Sequence, residues 1–294
     1  MILVTGAGGT VGREVARRLA GKVPARLGLR DPGRAVAGAE AAQTVRFDFL
    51  DPSCFAPALR GVRRVFLLRP PQLARPRRDF GPFVAAMRDA GVEGVAFLSV
   101  RGAESNPLLP HRGIERLLEG SGLAWTHLRP NDFMQNFVTV HRADIRDRGE
   151  IWAPAGSGRT SFVDVRDVAD AAVRVLTEPG HERRAYTLTG AEAFDLWEAA
   201  EVFSDVLARR IVYRNPGVLA FLRHVRAAGR PIALGLVMTG VYTVARLGLA
   251  ADVSPELERL IGRAPTALRR FVEDNAAVWK AAPAETPDTA SRRS

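Results

Sequence analysis

Short, nearly continuous apolar runs alternate along the chain with segments whose apolar residues recur every three or four positions. The runs predict buried β-strands, and the segments between them predict helices that pack one face against a sheet. Strands that are apolar throughout are typical of a parallel sheet with helices on both faces, so we predict an α/β, Rossmann-like, doubly wound fold. The predicted strands are 1–4, 25–30, 44–47, 64–68, 94–100 and 124–128, and the predicted helices include 79–90 and 112–119.

The alternation changes after Pro130. We predict a helix over 132–148, and the chain from Phe194 onward is predicted to be mostly helical apart from a short strand over 210–213. The apolar stretch 232–245 contains threonine and tyrosine and is too short to span a bilayer, so we predict a buried helix there. The elements in between are a strand over 160–163, a helix ending at Leu176 and a strand over 185–188.

This change of pattern predicts two regions and a tail. Residues 1–130 with 152–190 form the predicted sheet domain, and residues 131–151 with 191–280 form a small, mostly helical C-terminal cap over it. The last segment, 281–294, consists mainly of Ala, Pro, Thr, Ser and Arg and is predicted to be disordered.

Charge and composition narrow the classes of partner. The net charge is +10, yet only two of the 42 basic residues are lysine. Because this arginine bias goes with a high alanine and glycine content, it indicates a codon preference rather than a nucleic-acid surface. The single cysteine, Cys54, excludes an internal disulfide and favours a reducing cytoplasm. We therefore expect no nucleic-acid partner, no membrane partner, and a monomer or homodimer.

A glycine-rich segment after the first strand carries the strongest chemical signal. Gly6, Gly9 and Gly12 lie where a buried strand turns into a helix, which is the context of a dinucleotide site. Gly6 allows a tight turn, Gly9 lets the backbone approach a pyrophosphate, and Gly12 lets the helix pack close to the strand. The helix N-terminus then offers free N–H groups to the phosphates.

The residues after the second strand bear on the choice of cofactor. Arg30 ends that strand, with Arg34 close behind, and a guanidinium suits the 2′-phosphate of NADP. Asp31 could instead bind the 2′-hydroxyl of NAD if it points inward. We expect NADP as the cofactor, with NADPH preferred over NADH.

Several motifs together resemble the NmrA-like group of the atypical short-chain dehydrogenase/reductase superfamily, a group that includes NADPH:quinone reductases. The resemblance covers most of the chain, and the motifs stand in the expected order. They lie at residues 5–12 (TGAGGTVG), 30–32 (RDP), 48 (D), 65–68 (VFLL), 97–99 (FLS), 111–115 (HRGIE), 128–130 (LRP), 133–136 (FMQN) and 162–169 (FVDVRDVA).

The resemblance implies a Rossmann-like fold that binds NAD(P), with a helical substrate cap. It assigns cofactor contacts to Thr10 and Val11 at the pyrophosphate, Asp48 and Phe49 at the adenine, Leu67 and Leu68 along the crevice, and Ser99 and Pro130 near the nicotinamide. We also expect Phe133 and Asn136 on the acceptor side, with ordinary core packing as the alternative for Phe133. Two positions depart from the group, which more often has threonine at Gly8 and a small polar residue at Arg69. The Arg69 guanidinium could reach a phosphate or narrow the site.

The usual acid of short-chain dehydrogenases is absent from the sequence. That acid is a tyrosine followed four residues later by lysine, whereas Tyr186, Tyr213 and Tyr242 are followed at that spacing by glycine, glycine and arginine. His111 and Glu115 stand in the corresponding region, one helical turn apart, so Glu115 could orient the His111 imidazole as a general acid. Alternatively, the pair only shapes the cleft.

A quinone or a related electron-poor aromatic accepts a hydride with little help from a protein acid, because the product anion is stabilised by its own ring. We therefore expect an NAD(P)H-dependent oxidoreductase that reduces a small electrophilic acceptor of this kind. The alternative is a non-catalytic NAD(P)-binding redox sensor of the NmrA type. No metal site is expected, because His127 and His141 lack ligand spacing in the sequence.

Overall fold

The computed structural model describes residues 1–33 and 36–280, so Arg34 and the predicted tail 281–294 lie outside the described residues. The chain divides into two compact units. Unit 1 comprises Met1–Phe133, Ser161–Ala193 and Asp252–Thr266; unit 2 comprises Met134–Thr160, Phe194–Ala251 and the described residues from Ala267 onward.

Seven parallel strands form the sheet of unit 1, in the order β3-β2-β1-β4-β5-β6-β8. The order reverses between β1 and β4, and a ligand crevice lies at such a switch point in doubly wound sheets. The Rossmann-like α/β class is confirmed. The strands are β1 Ile2–Val4, β2 Ala25–Leu29, β3 Gln43–Arg46, β4 Arg64–Leu68, β5 Gly94–Leu98, β6 Ala124–Pro130, β7 Glu150–Trp152, β8 Arg184–Leu188 and β9 Val212–Arg214, of which β7 pairs with β9 in unit 2.

Helices follow most strands. They are α1 Thr10–Leu19, α2 Phe55–Leu59, α3 Pro76–Asp89, α4 Pro110–Glu119, α5 Asn136–Thr139, α6 Val165–Thr177, α7 Leu196–Leu207, α8 Val218–Ala227, α9 Ile232–Arg246, α10 Glu256–Ile261 and α11 Leu268–Asn275. Short 3-10 turns at Pro52–Cys54 and Ala276–Trp279 and a π-turn at Asp144–Arg148 complete the set.

Both faces of the sheet are buried, as the unbroken apolar strands predict. Successive residues of one strand enter different clusters: Phe66 packs with the helices α1 and α6, whereas Val65 and Leu67 pack on the other face. That second face is rich in phenylalanine, with Phe47 and Phe83 in edge-to-face contact at 4.8 Å. The burial of both faces leaves the strand ends as the places where polar side chains can gather.

Two predicted elements are wrong. The predicted helix over 132–148 is broken, because the backbone of Asn131 and Asp132 bonds to Leu188 and Val163 and so continues extended. Only α5 and the π-turn remain of that helix. The predicted strand over 160–163 is reduced to isolated bridges, in which Thr160 pairs with Phe194 and Val163 with Phe133.

The predicted domain boundaries differ from the two units at four places, two of which are short: residues 131–133 and 191–193 belong to unit 1 rather than to the predicted cap. Residues 252–266 belong to unit 1, although the sequence pattern put them in the cap. Residues 152–160 belong to unit 2, although the sequence pattern put them in the sheet domain. A reason for the place of 252–266 is that α10 contributes Leu257 and Leu260 to the cluster beside α6. That unit 2 caps the sheet domain stays a prediction.

Helix α9 forms where the apolar stretch 232–245 predicted it, but it is not a buried helix. Its buried residues are Gly235, Met238, Tyr242 and Ala245, which share one stripe, while most of its other apolar side chains are exposed. Within residues 1–33 and 36–280, no helix combines the length and the apolar character that crossing a bilayer requires.

Two histidines are fully or almost fully buried, one in each unit. The His127 ring stacks on Trp125 with the ring centroids 4.4 Å apart, and both of its nitrogens lack hydrogen-bond partners among the described residues. His141 bonds through Nε2 to the Tyr242 hydroxyl at 2.9 Å. Burial lowers the pKa of each imidazole from 6.5 to about 4. Both rings are therefore neutral at pH 7.

These two groups predict acid-sensitive stability. Since the folded-state pKa lies below the unfolded value, the unfolded chain binds more protons, and stability is lost as pH falls from about 6.5 to about 4. Each histidine contributes a slope of up to ~1.4 kcal/mol per pH unit in that window. Denaturant unfolding across this range should show a shallower slope for His127→Phe, which keeps an aromatic ring at a site without hydrogen bonds. An unchanged slope in that variant would show that His127 is not neutral in the native protein.

Candidate functional site

The turn after β1 brings main chain against main chain. Gly6 has a φ of +61°, which favours glycine, and its carbonyl oxygen accepts a hydrogen bond from the Gly9 N–H at 2.9 Å. A Cβ on Gly12 would lie 2.3 Å from the same Gly6 oxygen. Helix α1 therefore approaches the turn more closely than any side chain at position 12 allows.

The outer side of this turn is open. Gly8, Gly9 and Thr10 are exposed, and Gly9 caps α1 without a side chain. A Cβ on Gly9 would have the Gly6 oxygen, at 3.3 Å, as its one neighbour within 4 Å among the described residues. An exposed helix N-terminus with no side chain over it fits the pyrophosphate of a dinucleotide. Val11 is one of the buried residues of α1, so only its main-chain N–H is left to contact the pyrophosphate.

Thr5 joins the two strands of the switch point, a role the sequence reasoning missed. Its hydroxyl donates to the Phe66 carbonyl at 3.1 Å and accepts from the Leu68 N–H at 2.9 Å. The side chain is fully buried. Thr5 thus fixes the ends of β1 and β4 side by side beneath the glycine turn. Its place directly before Gly6 was the only available signal.

Arg30 and Asp31 follow β2 and are both exposed. The Asp31 carboxylate accepts the Gly33 N–H at 3.0 Å and so closes its own loop. Arg30 directly follows β2, and no contact that closes its own loop is seen for it among the described residues. This arrangement favours Arg30 over Asp31 as the group that faces a ribose, and Arg34 lies outside the described residues.

The predicted adenine contacts differ in exposure. The Asp48 carboxylate accepts the Leu50 N–H at 2.9 Å and is half-buried. The Phe49 ring is buried against Phe80 and Phe83, with centroids 4.8 and 5.5 Å apart. Only the main chain of Phe49 can therefore face a nucleotide.

Leu67 and Leu68 point to opposite sides of β4. Leu67 is fully buried in the phenylalanine-rich cluster. Leu68 is only partly buried, and its Cδ1 atom lies 3.2 Å from where a Cβ on Gly6 would be. Of the pair, Leu68 is the one whose side chain lies at the glycine turn.

Glu115 is the centre of a buried ion-pair network. Its carboxylate accepts the Ser99 hydroxyl at 2.7 Å and two N–H groups of Arg129, both at 2.9 Å. Arg112 adds a third cationic contact at 3.1 Å. Burial raises the pKa of Glu115, but the hydrogen bonds from Arg129 and Ser99 outweigh it and hold the pKa below its usual value. Glu115 is therefore an ionised anchor between β5, α4 and β6.

The predicted orientation of His111 by Glu115 is wrong. The helix places both on α4, but Arg129 and Ser99 take up the carboxylate, and the structure instead pairs His111 with Arg69. The Arg69 Nε–H donates to His111 Nε2 at 3.2 Å. Burial and the Arg69 charge lower the pKa of His111 to about 4. Because arginine has no acceptor, the His111 proton must be on Nδ1, which is buried and has no partner among the described residues.

Arg69 is turned toward its own loop. Its Nη1 atom donates to the carbonyl oxygens of Pro71 and Leu73, at 3.0 and 2.9 Å. Burial lowers the pKa of this guanidinium. Of the two roles left open by the sequence, shaping the site therefore fits these contacts better than reaching a phosphate.

A cluster of possible metal ligands is present, although sequence spacing predicted none. Ligand atoms of Glu115, Glu119 and His127 lie within 4.8 Å of one another. Arg112 bonds to both carboxylates, and Arg129 occupies the first. Two guanidinium groups inside the cluster oppose a cation, so we assign these residues to the ion-pair network. Sequence reasoning missed Arg129 and Arg112; the charged Arg129 at the end of the apolar strand β6 was the available signal.

The remaining predicted residues fall near the ends of strands or just beyond them. Pro130 ends β6, and its carbonyl accepts the Arg101 N–H at 2.9 Å. Phe133 is partly buried against the sheet cluster in unit 1. Asn136 is the first residue of α5, in unit 2.

Comparison with known proteins adds to this geometry. Residues 6–179 match the NAD(P)H-binding family model. The chain is 33% identical to the NAD(P)H azoreductase of Xenophilus azovorans, over 96% of this chain and 100% of that protein. It is 28% identical to the chains of two solved structures, and each of these matches covers 93% of this chain and 99% of the other. These are an Escherichia coli NADPH-dependent quinone oxidoreductase complexed with NADPH, at a TM-score of 0.84, and the Citrobacter triphenylmethane reductase complexed with NADP(H), at 0.85.

The open side of the glycine turn predicts a binding defect without a folding defect. Gly9→Val should lower NADPH affinity at least ~10-fold, which is about 1.4 kcal/mol, because its branched side chain enters the space for the pyrophosphate. Calorimetric titration measures the affinity, and thermal unfolding checks the fold. Gly8→Thr is the matched control, since a Cβ there meets only Leu29 at 3.5 Å. If Gly9→Val bound NADPH as tightly as the wild type and Gly8→Thr do, the dinucleotide would bind elsewhere.

Proposed function

The chain belongs to the NAD(P)H-binding family, and from that premise we propose that it is an NADPH-dependent reductase of small, electron-poor aromatic acceptors such as quinones. The observation that supports this most directly is the pairing of Arg69 with His111. Arg69 directly follows β4, the strand that borders the switch point. A neutral imidazole whose buried N–H has no partner among the described residues thus lies beside the strand end at which the family binds its cofactor.

The glycine turn and Arg30 form the binding part of this proposal. Gly6, Gly9 and Gly12 admit the pyrophosphate to the N-terminus of α1, and Arg30 pairs with a 2′-phosphate. The bound dihydronicotinamide supplies a hydride. The protein's own task is then to hold cofactor and acceptor in register and to exclude water from the contact.

His111 is proposed to donate a hydrogen bond from Nδ1 to an acceptor oxygen or nitrogen. Its pKa of about 4 means that the ring is neutral at pH 7, so it stabilises the growing negative charge without giving up its proton. Water supplies the proton that completes the two-electron reduction. Glu115 is a positioning residue, because its contacts fix α4 against β5 and β6 and thereby place His111.

The acceptor class follows from what the chain lacks. No tyrosine is followed four residues later by lysine, so a ketone has no strong acid to protonate its alkoxide. A quinone, an azo compound or a cationic dye spreads the added charge over its own conjugated system. The related azoreductase, quinone oxidoreductase and triphenylmethane reductase support acceptors of this kind.

We further propose that the protein acts in a reducing cytoplasm, on a small molecule and without a nucleic-acid partner. The single cysteine and the arginine-for-lysine bias support this. A monomer or homodimer remains the expected state. The non-catalytic sensor is the outcome that replaces the reductase if NADPH binds and no acceptor is reduced.

The proposed 2′-phosphate contact predicts a change in cofactor preference. Arg30→Ala should weaken NADPH binding about 10- to 150-fold, the range of 1.5–3 kcal/mol expected for a charged hydrogen bond, and leave NADH nearly unchanged. Titration with both cofactors measures the two effects. Arg88→Ala is the control, because Arg88 is exposed near the C-terminal end of α3. Wild-type protein that binds NADH as tightly as NADPH would remove the assignment of Arg30.

The proposed hydrogen bond from His111 predicts a graded effect on rate. His111→Ala should lower kcat with a simple quinone about three- to tenfold, the worth of a neutral hydrogen bond, with NADPH affinity unchanged. His111→Asn keeps an N–H near the Nδ1 position and should recover part of the loss.

The pH profile separates a hydrogen-bond donor from an imidazolium acid. Because the pKa of His111 is about 4, the wild-type kcat should stay flat from about pH 5.5 to 8. A kcat that falls with rising pH through about 6.5, and loses that limb in His111→Ala, would show that a protonated His111 is the acid. If kcat is unchanged in both His111→Ala and His111→Asn, His111 only lines the site.

A further inference from the structure

Helices α8 and α9 of unit 2 carry most of the large apolar side chains that the protein exposes. Leu219 on α8 is 75% exposed, and Val237 and Leu236 on α9 are 67% and 57% exposed. The two helices pack on one another, because Gly235 of α9 lies against the side chains of Leu222 and Val225. We call this helical pair, residues 218–246, the α8–α9 hairpin. The other large exposed apolar residues in or next to it are Val218, Ile232, Leu234, Val241, Val244, Leu247 and Leu249.

The exposed residues of α9 form one continuous face. The buried stripe runs through Gly235, Met238, Tyr242 and Ala245. At 100° per residue, the opposite side of the helix is centred on Gly240, where a Cβ would meet nothing within 4 Å. The residues around that centre are Ala233, Leu236, Val237, Thr243, Val244 and Leu247; all of them are exposed, and Thr243 alone among them is polar.

All the formal charge of this region is positive. Between Val206 and Ala251 there are seven arginines and no aspartate or glutamate. On α8, Arg223 and Arg226 are exposed and share a stripe with Leu219, at spacings of four and seven residues. No carboxylate of the hairpin itself neutralises these two guanidinium groups.

We propose that the α8–α9 hairpin binds the surface of an anionic lipid bilayer. Amphipathic helices with an apolar face, arginines and no acidic residue bind the interface of such a bilayer: apolar side chains enter the acyl boundary and cations meet lipid phosphates. In the α8–α9 hairpin, α9 supplies the apolar face and α8 supplies Arg223 and Arg226. This is attachment to one leaflet and needs no spanning helix. It reverses the expectation of no membrane partner, which rested on spanning segments alone.

Charge complementarity selects a bilayer over a second copy of the chain. A second α8–α9 hairpin would bring no carboxylate to pair with Arg223 and Arg226, because the hairpin contains none. An anionic bilayer supplies the missing negative charge and the apolar interior together. It also requires no shape complementarity from a convex face whose centre, Gly240, is bare.

Vesicle flotation of the full-length protein tests the proposal. Vesicles of phosphatidylcholine alone are compared with mixed phosphatidylcholine/phosphatidylglycerol vesicles. We expect at least tenfold stronger partitioning onto the mixed vesicles, weakened by added salt. Val237→Glu with Val244→Glu should reduce that binding more than tenfold, while Arg223→Gln with Arg226→Gln should reduce it about fivefold for each arginine.

Leu108→Glu is the matched control, because Leu108 is 89% exposed but lies in unit 1. It should bind vesicles as the wild type does, and thermal unfolding should be unchanged in every variant because the altered side chains are exposed. Equal binding to neutral and anionic vesicles, or no binding to either, overturns the proposal. The proposal is also overturned if the protein binds no vesicles and forms a dimer that Val237→Glu dissociates. The α8–α9 hairpin then binds a second copy of the chain.

Discussion

One buried carboxylate, that of Glu115, determines how the acceptor side of unit 1 is built. An ionised group with no solvent exposure is stable only when cations and donors surround it, and here Arg129, Arg112 and Ser99 do so. These contacts join α4 to the ends of β5 and β6. They also leave His111, one turn earlier on α4, to pair with Arg69 instead. The neutral imidazole therefore depends on a network that it does not touch.

The cofactor side depends on a steric constraint rather than a charge. The approach of α1 to the Gly6 carbonyl leaves no room for a Cβ at Gly12, and the Thr5 hydroxyl holds the next strand beside the turn. Polar main chain is thus brought to the switch point of the sheet, with Leu68 alongside. A reductase without a Tyr–Lys pair needs this positioning more than acid catalysis, which is why an acceptor that stabilises its own charge suits the chain.

Local pattern was enough to predict the parts of the fold that local sequence determines. The run before Gly6, the glycine spacing and the stripe of α1 follow from neighbours in the chain, and they predicted the dinucleotide turn. Long-range contacts were not predictable in this way. The spacing of His111 and Glu115 placed both on one helix but did not reveal that Arg129, from another strand, would bind the carboxylate. For the same reason the apolar composition of 232–245 predicted a helix but not that one of its faces would be exposed.

A turnover assay with NADPH and a panel of quinones, azo dyes, triphenylmethane dyes and simple ketones distinguishes a reductase of conjugated acceptors from a non-catalytic NADPH-binding protein. We expect NADPH oxidation and acceptor reduction to proceed one to one with at least one conjugated acceptor, and we expect no turnover with the ketones. Tight NADPH binding with no reduction of any conjugated acceptor would contradict the proposed reductase function, as would reduction of ketones alone.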